Sequence, residues 1–263
     1  MTPVRLGAVA YLNARPLVHD LERRRDRFAL QFDPPSVCAT LLHEGAIDVG
    51  MIPSIECLRG PEYRIVPGVA LASRGGVASV ALYTRRPLAE VRSVAADTSS
   101  RTSVALLRVL CTRRFGIAPA FEAQPPDPDA MLARCDAALI IGDAALFLDH
   151  EAAGLQKIDL GEAWTAMTGM PFVWAFWAGR PGAVSQGDVE ALQAARDSGV
   201  AATDAIANDY ARGDARRADI GRRYLRTNMR YGLDDETQAG LEEYLRLASA
   251  MGLAPGPGAL RFY

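Results

Sequence analysis

The sequence predicts an α/β fold of two lobes joined by two crossing strands and enclosing a ligand cleft, and three observations carry that reading. Short apolar runs rich in Val, Ile, Ala and Leu alternate with helical patterns through the first two thirds of the 263 residues, a pattern that calls for largely parallel sheets. Two strand-like segments, Val77 to Thr84 and Phe172 to Ala178, bracket a middle block. From about residue 184 strand signals cease and long helical patterns take over. The chain is therefore expected to leave one lobe through the first segment and return through the second. Lobe one would comprise 1–84 with 176–263, and lobe two 85–175. Ligands commonly bind in such an inter-lobe cleft.

Taken in order, strands are expected near 4–9, 28–33, 47–52, 64–72, 77–84, 92–96, 119–123, 137–141, 155–159 and 172–178, from their apolar, β-branched runs. Helices are expected near 15–25, 36–44, 54–59, 101–115, 128–134, 143–150 and 161–167. The fourth has the firmest limits, because serines precede it and Gly116 follows Arg113 and Arg114. Asp188 to Tyr210, Ala215 to Tyr231 and Asp235 to Met251 read as helices packed back on the first lobe, and Gly252 to Gly258 as irregular chain.

Composition narrows the function classes. The chain is 49% hydrophobic and 23% charged, with 29 Lys+Arg against 31 Asp+Glu, an ordinary soluble globular balance with no broad basic surface for nucleic acid. No uncharged run reaches the roughly 18 residues of a membrane span. The N-terminus runs into an apolar strand without a basic leader, so the expected compartment is the cytoplasm. Cys38, Cys57, Cys111 and Cys135 form no C-x-x-C pair and read as buried thiols. Lys157 is the only lysine, so Schiff-base chemistry would rest on it alone. Phosphate-loop, dinucleotide, nucleophile-elbow and zinc-helix motifs are absent. His19, His43 and His150 fall on expected helices, where surface or structural roles are the default.

What remains is polar residues where strands give way to helices. Ser54 follows the strand ending at Ile52 and Pro53; Arg101, Thr102 and Ser103 follow Ser99 and Ser100 in the second lobe. Helix starts with free N–H groups and hydroxyls form anion sites, and two of them in facing lobes would suit a small dicarboxylate. The plain alternative is that these side chains only cap their helices. Asn13 sits in the first strand-to-helix turn, Ser79 within the first crossing segment, Asp143 at a helix start, and Gly169 in the turn before the return strand. Asp48 reads as a turn former, and Trp174, Phe176 and Trp177 as an apolar wall or core.

The segments Y-L-N-A-R-P-L at 11–17, G-A-I-D-V-G-M-I-P-S-I-E at 45–56, S-S-R-T-S-V-A-L-L at 99–107, L-I-I-G-D-A-A-L at 139–146 and D-L-G-E-A-W-T-A-M-T-G-M-P-F-V at 159–173, taken together, resemble the chorismate dehydratase family of the futalosine route to menaquinone. The resemblance implies a periplasmic-binding-protein-like fold of the two-lobed type II kind. It also implies loss of water from chorismate to give 3-[(1-carboxyvinyl)oxy]benzoate, a hydro-lyase reaction needing no cofactor and no metal. Asn13 is then the expected residue at the reacting centre, with Ser54, Ser79, Arg101, Thr102, Ser103, Asp143 and Gly169 around the substrate. Asn is a poor base; Asp143, Glu56 and the substrate's own enolpyruvyl carboxylate are the candidates to take the proton, and a protein carboxylate beside a dianion would be repelled unless protonated. Arg101 has a second reading, an ion pair joining the lobes. Two other functions stay open: the sister enzyme that makes 1,4-dihydroxy-6-naphthoate with a cleft histidine, and a non-catalytic small-anion solute-binding protein, which export would distinguish. Homo-oligomers are left open.

Overall fold

The computed structural model describes residues 2–60, 62–256 and 258–263. Strands β1 (Val4–Val9), β2 (Phe28–Asp33), β3 (Val49–Pro53) and β4 (Arg64–Ser73) lie in one sheet. Strands β5 (Val80–Thr84), β6 (Ser93–Asp97), β7 (Ala120–Gln124), β8 (Ala137–Ile141) and β9 (Gln156–Asp159) form another, and β10 (Phe172–Gly179) returns to the first. The sheet orders are β2-β1-β3-β10-β4 and β7-β6-β8-β5-β9. β10 is antiparallel to β3 and β4, and β5 to β8 and β9, while the remaining pairings are parallel. Each lobe thus inserts the strand arriving from the other lobe at the same place, beside its own last strand. β3, β5, β8 and β10 are buried along their whole length, which is why they read as continuous apolar runs.

Helices α1 (Pro35–Glu44), α2 (Thr102–Leu110), α3 (Pro128–Arg134), α4 (Gly142–Leu146) and α5 (Leu160–Thr168) connect the strands. α6 (Gln186–Ala201), α7 (Thr203–Tyr210), α8 (Ala215–Arg223) and α9 (Asp235–Ala250) follow β10. α2 starts where the Ser100 hydroxyl accepts the Ser103 N–H at 3.2 Å, widens into a π-type turn over Cys111–Phe115, and stops at Gly116, whose φ of 65° admits glycine most readily.

Four local expectations are corrected. The segment expected as a helix over 15–25 is two short 3-10 turns, Leu12–Val18 and Leu21–Arg23: Pro16 lacks an N–H and Asp20 takes φ 61°. The helix expected over 143–150 ends at Leu146, and the one expected over 188–210 breaks at Ala202. Val77 to Thr84 is not one strand, because Ala78 takes φ 64° and only Val80 onward joins the second sheet. The sheets therefore divide within 74–79 and 169–171, rather than after 84 and 175.

The first crossing is fastened by Asp159, whose carboxylate accepts the N–H groups of Val77 (3.0 Å) and Ala78 (2.6 Å) while also capping α5 through Gly161 and Glu162. Lys157 donates to the Ala78 carbonyl at 2.7 Å, so the lone lysine holds backbone, and burial lowers its pKa. The C-terminal helices do more than cover the first lobe. α6 packs on the Leu12–Val18 turn and α9 on β10, yet Tyr244 of α9 donates to the Thr102 carbonyl at 3.0 Å and Arg216 of α8 pairs with Asp149 at 2.6 Å in lobe two. Asp143 closes the same seam from the other side: its carboxylate accepts the Leu12 N–H at 3.1 Å and the Tyr210 hydroxyl. Burial raises the pKa of that carboxyl despite both donors.

Two outcomes are expected. A Cβ on Gly199 would lie 2.0 Å from the Pro16 carbonyl oxygen, so Gly199→Ala should lower stability in denaturant melts by about 1–3 kcal/mol. Because the folded-state pKa of Asp143 is raised, the folded protein holds this proton above the unfolded pKa, and its contribution to stability falls as pH rises through that window. Asp143→Asn should therefore gain stability relative to wild type as pH rises above the ordinary carboxyl pKa of about 4, and a difference that shrinks as the pH of the melts is raised would contradict this.

Candidate active site

The inter-lobe cleft is built at the C-terminal ends of strands, where open α/β sheets place their ligands. From lobe one, Val9 ends β1 with Tyr11 and Asn13 after it, Pro53 ends β3, and Trp174 and Ala175 come from β10; from lobe two, Ser100 precedes α2, Thr102 and Ser103 open it, Ile141 ends β8 and Gly142 opens α4. The first crossing supplies Val77, Ser79 and Val80. Gly142 is demanded twice over: it takes φ 66°, and a Cβ there would lie 2.7 Å from the Tyr11 ring.

Of the residues singled out in the sequence, the structure brings four to this cleft: Asn13, Ser79, Thr102 and Ser103. Ser79 is 1% exposed, and its hydroxyl lies 2.6 Å from that of Tyr224. The Asn13 Oδ1 is buried without a hydrogen-bond partner among the described residues, an acceptor that costs about 1–3 kcal/mol if nothing fills it. Thr102 uses its hydroxyl as acceptor for the Ile55 N–H at 3.2 Å.

Four others lie elsewhere. Ser54 is fully buried and donates to the Val173 carbonyl at 2.7 Å, which locks the return strand to the start of the Ser54–Leu58 turn. The two chain starts expected to flank a ligand thus touch each other, with Ser54 and Thr102 hydroxyls 3.4 Å apart. Arg101 points away from the cleft, donating to Glu56 at 3.0 Å and to Thr40 at 2.9 Å, so its lobe-joining role is the one the geometry shows. Asp143 is spent on Leu12 and Tyr210, and Gly169 terminates α5 at the second crossing with φ 74°. Glu56, also a candidate base, is fully buried among His43 (2.9 Å), Arg59 (2.9 Å) and Arg101. His19 bonds Ser198 at 3.1 Å, and none of the three histidines lines the cleft.

The lining therefore carries no carboxylate, imidazole, ammonium or guanidinium among the described residues; its one ionisable group is the Tyr11 phenol, which burial pushes up. It offers hydroxyls, one amide, the N-terminal turn of α2 and the indole face of Trp174, whose Nε1 donates to Ser73 at 3.0 Å. Sequence reasoning missed Tyr11, Ser100 and Gly142 as lining although all three stand inside motifs it quoted, and it missed Tyr224, which no local signal in the C-terminal helices marks.

Comparison with known proteins is consistent with this architecture. A family profile described as menaquinone biosynthesis matches residues 4–250. The curated chorismate dehydratase of Thermus thermophilus is 30% identical over 280 residues, covering 100% of this chain and 99% of that protein. Among solved structures, a protein from Archaeoglobus fulgidus superposes with a TM-score of 0.77 at 17% identity, over 96% of this chain and 98% of that one. The periplasmic aliphatic sulphonate binding protein SsuA from Escherichia coli gives 0.69 at 18% identity, over 98% and 95%. A Candida albicans protein exhibiting the generic periplasmic binding protein fold gives 0.67 at 12% identity, over 95% and 91%. The architecture is thus the two-lobed binding-protein fold, and with the profile spanning nearly the whole sequence this chain belongs to the menaquinone biosynthesis family.

Proposed function

We propose that this protein is a chorismate dehydratase, a hydro-lyase that converts chorismate to 3-[(1-carboxyvinyl)oxy]benzoate within the cleft. The supporting observation is the chemical character of the lining: neutral hydrogen-bonding groups with no protein base. Such a site fits a reaction whose substrate brings its own base. Loss of the C3 proton and the C4 hydroxyl from chorismate forms water and an aromatic ring, and the atoms balance without oxidant or reductant, so the reading involves no redox cofactor. The enolpyruvyl carboxylate, held beside C3, takes the proton and returns it to the departing C4 oxygen, so that water leaves and the carboxylate is regenerated. Glu56 and Asp143, the two protein alternatives, are both committed to partners outside the cleft.

In this reading the Asn13 amide hydrogen-bonds the substrate C4 hydroxyl, and the Ser79 hydroxyl hydrogen-bonds a substrate oxygen. The turn at Thr102 and Ser103 receives a carboxylate, where each interaction with helix-end dipoles is worth roughly 0.3–1 kcal/mol at a surface and more when water is excluded. The wall of Trp174 packs on the ring. The sister-enzyme reading needs a histidine in the cleft, and the histidines are elsewhere. The family's fold is shared with solute-binding proteins, so turnover, not binding, decides.

Purified protein mixed with chorismate should release the enolpyruvyl benzoate, detected by chromatography and mass. Asn13→Ala should lower kcat by at least about 10–100-fold, the range for losing one preorganised hydrogen bond at a reacting centre, and activity within twofold of wild type would remove Asn13 from that centre. Asp143→Asn should keep turnover, since the reaction takes no proton to Asp143; loss by about 1,000-fold or more, the scale of losing a general base, would reinstate it as the base. Chorismate bound without product would leave a receptor.

A further inference from the structure

Asp97 ends β6 as a carboxylate that is 1% exposed and lies outside the cleft lining. A carboxylate taken out of water is costly unless donors meet it, and the donors here are neutral. Its two oxygens are divided between two segments of lobe two. Oδ1 accepts the Ser99 N–H at 2.8 Å and the Ser99 hydroxyl at 2.6 Å, while Oδ2 accepts the Ile141 N–H at 3.3 Å. The first segment runs on into Ser100, Thr102 and Ser103, and the second into Gly142. These, with Ile141 itself, are the cleft-lining residues that lobe two contributes, so one carboxylate holds both of the segments that carry them.

The same group reaches across the seam. With the Ser99 proton given to Asp97, the Ser99 Oγ is left as an acceptor, and the Tyr11 hydroxyl of lobe one donates to it at 3.3 Å. That separation is long for two hydroxyls, and the Tyr11 ring has a second seat. It lies against Gly142, where a Cβ would stand 2.7 Å from the nearest ring carbon. Tyr11 is thus docked on both of the segments that Asp97 holds, two residues before Asn13. We infer that Asp97 is a positioning residue: it sets the spacing of the two lobe-two segments and, through Ser99, receives Tyr11, so that Asn13 stands in register with the Thr102 and Ser103 turn. The inference rests on the dehydratase reading and deepens it, because that reading needs the amide of one lobe and the anion-receiving turn of the other to engage one substrate together.

The test is chorismate turnover by Asp97→Asn, Ser99→Ala, Ser99→Thr, Tyr11→Phe and the Ser99→Ala/Tyr11→Phe pair, each assayed well below its melting temperature. An amide at 97 offers one acceptor and one donor, so whichever way it turns, one segment meets an N–H in place of an oxygen. Asp97→Asn should lower kcat/KM by about tenfold or more, and Ser99→Ala by about fivefold or more, while Ser99→Thr, which keeps the hydroxyl, should stay within about threefold of wild type. Tyr11→Phe should cost about threefold or more in the wild-type background and nothing further beside Ser99→Ala, because its hydroxyl acts through Ser99. Variants that melt earlier but turn over as wild type at the assay temperature show a merely structural carboxylate and overturn the inference. Equal Tyr11→Phe factors in both backgrounds, including no loss in either, overturn it as well. If Asp97→Asn does not fold, the Ser99 and Tyr11 variants decide by the same criteria. A wild type that makes no product removes the dehydratase reading and the inference together, whereas an active wild type with insensitive variants removes the inference alone.

Discussion

The carboxylate of Asp159 is the fixed point on which the two-lobed arrangement turns. It accepts four backbone N–H groups, two from the crossing at Val77 and Ala78 and two from the start of α5. Hydrogen bonds to a charged acceptor are each worth about 1.5–3 kcal/mol, enough to hold Ala78 in a left-handed conformation that a non-glycine residue rarely adopts. The very next residue is Ser79. The hydroxyl that faces the cleft is thus set by a strap whose geometry is imposed from the second lobe, while Tyr224 holds the same hydroxyl from the C-terminal bundle. Lys157, through the Ala78 carbonyl, completes the fastening.

Charge is partitioned with the same economy. Glu56, fully buried, is met by the Arg59 and Arg101 guanidinium groups and the His43 imidazole, so Arg101 serves the seam between lobes. Asp143 likewise joins lobe two to Leu12 and Tyr210. Breaking a buried ion pair by removing one partner typically costs about 3–5 kcal/mol, so Glu56 is a poor candidate for chemistry that would require it to change protonation. The cleft lining is left neutral among the described residues, and electrostatic interactions are stronger in such an environment than in water. The ties beside the cleft, Leu12 to Asp143 and Ile55 to Thr102, join the two lobes.

The strands were legible because fully buried strands must be apolar throughout and their ends carry Gly, Pro, Ser or Asp. All ten strands lie within a few residues of the expected ranges. The three long C-terminal patterns were legible for the same reason with a helical period, although the break at Ala202 had no local sign. The segment after β1 read as a helix from its composition, but Pro16 and a close approach to Gly199 of α6 forced tighter turns. That approach joins positions far apart in sequence and leaves no trace in either neighbourhood.

Among the site residues the division is similar. Asn13, Ser79, Thr102 and Ser103 could be found because a polar residue at a strand's C-terminal end is exposed to a cleft by topology alone. Ser54, Arg101 and Asp143 stand in equivalent local positions, and only tertiary packing decided that they turn to Val173, Glu56 and Tyr210 instead. Tyr224 entered from a helix with no motif of its own. The sequence by itself determined strand order signals, lobe count and the chemical inventory, since these follow from local periodicity and residue type. Which hydroxyl lines the cleft, which carboxylate is already paired and where the chain crosses between lobes depended on contacts between distant segments, because hydrogen-bond partners are chosen by spatial proximity and burial, which local sequence does not encode.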